Sequence, residues 1–211
     1  MDLIVTELSV ARGGIAILAG LGFAVTAGNA LVLRGPNGIG KTTVLRTIAG
    51  LQPVLTGRVA PGPDQIAWAG HADAVKATLT VRENLAFWAA IYGAGDVGSA
   101  LADLHLTDLA DRPAQTLSAG QKRRLGLARL LLSDRPIWVL DEPTVSLDAA
   151  TVAHFATLLA RHLQRGGAAL LTSHVDLGLD GAGELDLSPY RARGAMSAQQ
   201  STPAGFDEAF L

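Results

Sequence analysis

Residues 35–43 read GPNGIGKTT, one residue after the apolar run ALVL (30–33) and directly before VLRTIAGL (44–51). A buried strand, a glycine-rich loop and an amphipathic helix start together suit one task, which is holding phosphate. Gly35, Gly38 and Gly40 adopt dihedrals that a side chain forbids, so the backbone wraps close to an anion. The N–H groups of residues 38–43 then point at phosphate oxygens, and the helix N-terminus adds its dipole. Lys41 supplies a compact cation for β- and γ-phosphates, and Thr42 a hydroxyl for Mg²⁺. Gly35, Pro36, Asn37, Gly38, Ile39, Gly40, Lys41, Thr42 and Thr43 are thus the candidate nucleotide-binding residues. Many unrelated activities share such a loop, so it sets the ligand and leaves the reaction open.

A second group of chemical residues closes DRPIWVLDEP (134–143). IWVL reads as a buried strand, and Asp141 and Glu142 stand at its carboxyl end, where open α/β sheets place their ligand sites. Asp141 is placed to hold Mg²⁺ through water. Glu142 is placed to face the γ-phosphate and polarise an attacking water. Pro143 ends the strand pairing.

LSAGQ (117–121) narrows the class. Locally, Ser118 and Gln121 form a capping box at the start of KRRLGLARLLL. Between the phosphate loop and the acidic strand, the same residues resemble the signature of ABC ATPases, LSGGQ, with alanine for the first glycine. TVSLD (144–148) resembles the loop that follows the acidic strand in that family, with Asp148 at its end. LLTSH (170–174) resembles the strand that ends in the switch histidine, here His174. LTVRENLAF (79–87) resembles the start of the helical subdomain. Its own pattern agrees: Thr80 and Glu83 make a capping box before an apolar face of Leu85, Trp88 and Tyr92.

The resemblance implies an α/β fold, a P-loop ABC-type nucleotide-binding domain. It would be a single domain over 1–190, with a RecA-like core (1–70 and 136–190) and a helical subdomain (71–135), followed by a tail (191–211). It also implies a head-to-tail homodimer that sandwiches ATP and Mg²⁺. Each phosphate loop would face Ser118, Gly120 and Gln121 of the other copy. Glu142 and His174 would hold the attacking water between them, and hydrolysis would open the dimer.

Two positions depart from the ABC pattern. The glutamine that senses the metal, eight residues before the LT of the helical subdomain, is here His71. An imidazole nitrogen accepts from a metal-bound water as an amide carbonyl does, and it is also able to take a proton near neutrality. The other reading of His71 is a plain loop residue. The aromatic residue that stacks on adenine is replaced by Arg12, whose guanidinium plane also stacks on a base.

The run AGHADAVKATLTVRENLAFW (69–88), with LRTIAGLQP (45–53) and LSAGQKRRLGLARLLL, resembles the ATP-binding subunits of the cytochrome c maturation haem exporter, the CcmA family. That resemblance implies a place on the cytoplasmic face of the inner membrane, an integral partner of the CcmB type and one of the CcmC type. ATP turnover would drive haem export or release of a haem chaperone. The alternatives are the cassette of another exporter, for drug, lipid or polysaccharide, and a soluble ABC ATPase.

The elements that must position these residues follow from the rest of the chain. Residues 13–33 carry no charge, yet the glycines that punctuate them speak against a membrane span. Short strands near 15–18, 22–26 and 30–33 are expected instead. MDLIVTEL has no basic region before an apolar run and does not read as a secretion signal. VAHFATLLARHL (152–163) puts Val152, Phe155, Ala156, Leu159 and Leu163 on one helical face. Lys122, Arg123 and Arg124 read as a solvated basic face. His105, His154 and His162 read as ordinary helix residues. In the tail, Phe206, Phe210 and Leu211 read as a clip onto the domain or a partner contact. The 211 residues carry a formal charge of −2, which gives no reason to expect a nucleic-acid partner, and contain no cysteine, so haem cannot be held by thiolate.

Overall fold

A computed structural model of the chain describes residues 1–93, 95–179 and 181–192. Strands β1 (Leu3–Arg12), β2 (Ile15–Val25) and β4 (Thr56–Ala60) form an antiparallel sheet in the order β2-β1-β4. A second, parallel sheet has the order β5-β6-β7-β3-β8. Its members are β3 (Ala30–Arg34), β5 (Ile66–Ala69), β6 (Ile137–Asp141), β7 (Ala168–Thr172) and β8 (Gly183–Asp186). The helices are α1 (Lys41–Ile48), α2 (Val81–Tyr92), α3 (Val97–Asp103), α4 (Ala119–Leu132) and α5 (Ala149–Gln164).

Every residue of β6 and β7 is buried, as expected for central strands covered on both faces. The period of two divides their side chains. Trp138, Leu140, Ala169 and Leu171 pack with Leu85, Leu127, Phe155 and Leu159 from the helices of one side. Ile137, Val139, Ala168 and Leu170 pack with α1 and with β1 and β2 on the other. The apolar face expected on α5 is there, with Leu158 added to it.

Both capping boxes form. Thr80 accepts from the Glu83 N–H while the Glu83 carboxylate takes the Thr80 N–H, and Ser118 and Gln121 do the same at α4. Trp88 and Tyr92 lie on α2 with rings 5.7 Å apart, under the guanidinium groups of Arg129 and Arg135.

Four expectations are corrected. The strands expected at 15–18 and 22–26 are one strand, β2, because Gly20 takes a positive φ of 72° and the irregular register there absorbs it. Arg123 is buried rather than solvated. His105 lies past the end of α3, at a positive φ of 52°, and its ring lies 4.5 Å from that of His154. β7 stops at Thr172, so His174 stands beyond the strand rather than on it. The tail residues Phe206, Phe210 and Leu211 lie outside the described residues. No helix among the described residues is long and apolar enough to cross a membrane.

His162 on α5 stacks on Trp138 with ring centroids 4.0 Å apart. A Cβ at position 167 would overlap this ring, so glycine is required there. Burial pushes the His162 imidazole below its ordinary value of 6.5. The unfolded chain therefore takes up a proton that the folded chain refuses. This stability is present above about pH 6.5 and is lost as pH falls below it. Melting temperature measured from pH 8 to pH 5 should drop on the acid side, and His162→Gln should flatten that drop.

Candidate functional site

The order β5-β6-β7-β3 with all pairings parallel brings four carboxyl ends side by side. β5 ends before Gly70 and His71, β6 ends on Asp141, β7 leads to Ser173 and His174, and β3 leads into the loop 35–40. Residues far apart in sequence thus share one rim of the sheet.

At the loop, Gly40 precedes α1 with a φ of 119°, and its missing Cβ would lie 2.8 Å from Ile17 Cδ1 of β2. Glycine is needed here for both reasons. Gly40 has no side chain to cap α1, so among the described residues its first N–H groups stay open at the loop. The Lys41 ammonium arches back to donate to the carbonyls of Gly35 (2.7 Å) and Pro36 (3.4 Å). Arg12 is exposed beside this helix, with Nη2 3.4 Å from the Thr43 hydroxyl.

At the end of β6 the Thr172 hydroxyl does two things. It donates to Asp141 Oδ1 at 2.8 Å and accepts from the Glu142 N–H at 3.0 Å. Asp141 Oδ2 is buried, has no hydrogen-bond partner among the described residues, and lies 3.7 Å from His71 Nε2. A carboxylate oxygen left bare in a buried position fits a cation or a cation-bound water. Glu142 sits at a φ of 49°, uncommon for a residue with a side chain. Its Oε2 accepts from the His174 N–H at 3.3 Å, and its Oε1 lies 3.4 Å from His174 Nε2. The two histidine side chains are 61% and 68% exposed, against 2% and 11% for the two carboxylates they face. Two buried acids thus lie beneath exposed imidazoles.

The structure brings together His71 with Asp141, Glu142 with His174, and Arg12 with Thr43 at the start of α1. It leaves the signature apart. Ser118 and Ala119 are exposed at the start of α4, and Gly120 packs against the following loop, where a Cβ would come 2.9 Å from the Ser146 carbonyl. Asp148 caps α5 by accepting from the Thr151 N–H at 2.7 Å, and this bond holds its carboxyl below the usual range. A large cavity of about 640 Å³ opens elsewhere, around His162 and the amino ends of β6 and β7, and holds none of these residues. Among the described residues no three His, Asp or Glu side chains gather as a metal-ligand cluster.

Residues 18–145 match the family model of the ABC transporter. The chain belongs to the ABC transporter family. As an ABC ATPase it binds and hydrolyses ATP. It is 61% identical over 211 residues to the cytochrome c biogenesis ATP-binding export protein CcmA of Rhodobacter capsulatus, covering 99% of each chain. The protein of the same description from Cereibacter sphaeroides is 59% identical over 209 residues, covering 99% of this chain and 96% of that one. Among solved structures, an ABC transporter ATP-binding protein from Pyrococcus furiosus superimposes with a TM-score of 0.79 at 26% identity, over 91% of this chain and 100% of the other.

Sequence reasoning missed Thr172 and Arg123. Thr172 had no local signal beyond its place before His174. Arg123 had one: it lies on the same helical face as Leu127 and Leu130, both buried. Replacing Thr172 by valine keeps the shape and leaves Asp141 Oδ1 and the Glu142 N–H unpaired. Chemical denaturation of Thr172→Val should show a loss of about 1–3 kcal/mol. Its ATP turnover should fall on the order of 10–100-fold, because the backbone that presents Glu142 and the Asp141 carboxylate both lose their anchor.

Proposed function

We propose that the chain is the ATPase subunit of a haem-export transporter for c-type cytochrome biogenesis. Full-length identity near 60% to cytochrome c biogenesis export proteins carries this reading. The rim of carboxylates and histidines supports the chemistry assigned to it. Lys41 and the open N–H groups of the loop and α1 bind the β- and γ-phosphates, and Arg12 stacks on the adenine. Thr42 would hold Mg²⁺, and Asp141 and His71 would reach it through its water; the ion would supply positive charge beside the phosphates. Glu142 orients the attacking water and takes its proton, while His174 holds the water and a γ-phosphate oxygen from the other side.

Two copies associate head to tail. The loop of one then faces Ser118, Gly120 and Gln121 of the other, and the positive end of α4 meets the γ-phosphate across the interface. ATP closes the pair and hydrolysis releases it, so turnover becomes a mechanical stroke. The stroke passes to integral partners of the CcmB and CcmC types, which hold the chain at the cytoplasmic face of the inner membrane.

Haem is handled by those partners. The five histidines have other places: His71 and His174 sit on the nucleotide rim, His105 lies tilted against His154, and His162 stacks on Trp138. In cells whose only copy carries Glu142→Gln, covalently bound haem in c-type cytochromes should disappear while the apo-polypeptides are still made. Normal holo-cytochrome levels would mean that the chain drives another transporter or that this pathway does not need its hydrolysis step.

A further inference from the structure

Arg123 lies on the first turns of α4, just past Gln121, and is 5% exposed. A guanidinium this deeply buried needs an acceptor for every donor. Arg123 finds them on two separate segments. From the stretch after β5 it takes the Gly70 carbonyl at 2.5 Å and Asp73 Oδ1 at 3.0 Å. From the stretch at the end of β6 it takes the carbonyls of Glu142 at 2.7 Å, Pro143 at 2.9 Å and Asp141 at 3.5 Å. These segments carry His71 and Glu142, the groups placed on the metal and on the attacking water.

Two further observations point the same way. Gly126 lies one turn along α4 from Arg123, and a Cβ there would come 2.9 Å from both Asp73 Cβ and its carbonyl oxygen. Glycine at 126 thus lets the helix come close enough for the guanidinium to reach Gly70. Glu142 holds a left-handed φ of 49°. Its carbonyl meets Arg123 while its carboxylate meets His174, so the guanidinium holds the backbone turn that presents the carboxylate.

We propose that Arg123 is a positioning residue for ATP hydrolysis, setting the backbone from which Glu142 acts and tying it to the helix that begins at Ser118. A planar fork is required, because a lysine ammonium cannot reach carbonyls on both segments at once. The proposal rests on Glu142 being the group that activates water.

The test uses the purified full chain as Arg123→Lys and Arg123→Gln, each alone and combined with Glu142→Gln. Phosphate release, KM for Mg–ATP, affinity for a fluorescent ATP analogue and melting temperature are measured. Both single variants should lose at least about tenfold in kcat, while KM and nucleotide affinity stay within about threefold. Adding either to Glu142→Gln should lower the residual turnover no further, since the two residues act as one unit. Unchanged kcat in a folded variant, or a loss that multiplies with that of Glu142→Gln, would overturn the proposal. So would failure of both variants to fold, which would make Arg123 a stability residue. Normal turnover in Glu142→Gln alone would instead sink the reading of Glu142, and the role of Arg123 through it.

Discussion

The register of one strand pair governs this site. β6 and β7 run parallel with Asp141 opposite Thr172. That pairing puts a hydroxyl between the Asp141 carboxylate and the Glu142 N–H, in a position where all three residues are buried. A slip of one residue would turn Thr172 to the other face and strand two polar groups without partners. The buried apolar residues of both strands, divided between two cores, hold the register against such a slip. Packing far from any phosphate thus fixes where the two acids stand.

Helix α4 builds outward from that strand end. Its Gly126 approaches residue 73, Arg123 spans to Gly70 and Glu142, and Gly120 rests on the loop at Ser146. The same helix leaves its first residues, Ser118 and Ala119, open to solvent. The first turns of α4 are therefore tied into their own subunit's acids, while Ser118 and Ala119 at the very start of the helix stay exposed toward a second copy. In the proposed dimer a nucleotide bound across the interface pulls on a helix that already holds Glu142. That is a physical route from ligand to carboxylate without any long chain of small displacements.

The local chemistry was legible in the sequence wherever it is built from neighbours in the chain. The loop 35–43, the acids 141 and 142, and both capping boxes declare themselves by spacing. The apolar face of α5 does so by its period. What needed the third dimension was harder to read. Gly20 looks like a break, but a strand with a bulge tolerates it. Arg123 sits among Lys122 and Arg124 and looks like part of a charged surface, yet five acceptors from two distant segments converge on it. His71 and Asp141 are seventy residues apart in numbering and meet only because β5 pairs with β6.

In the proposed head-to-tail pair the phosphate loop of one copy meets the signature of the other, and the site is complete only when two copies close on ATP. Light scattering of Glu142→Gln during size-exclusion chromatography, with and without Mg–ATP, tests this most directly. A shift from monomer to dimer mass on adding Mg–ATP, abolished by Ser118→Arg, is the expected result. A variant that binds Mg–ATP and remains a monomer would contradict it.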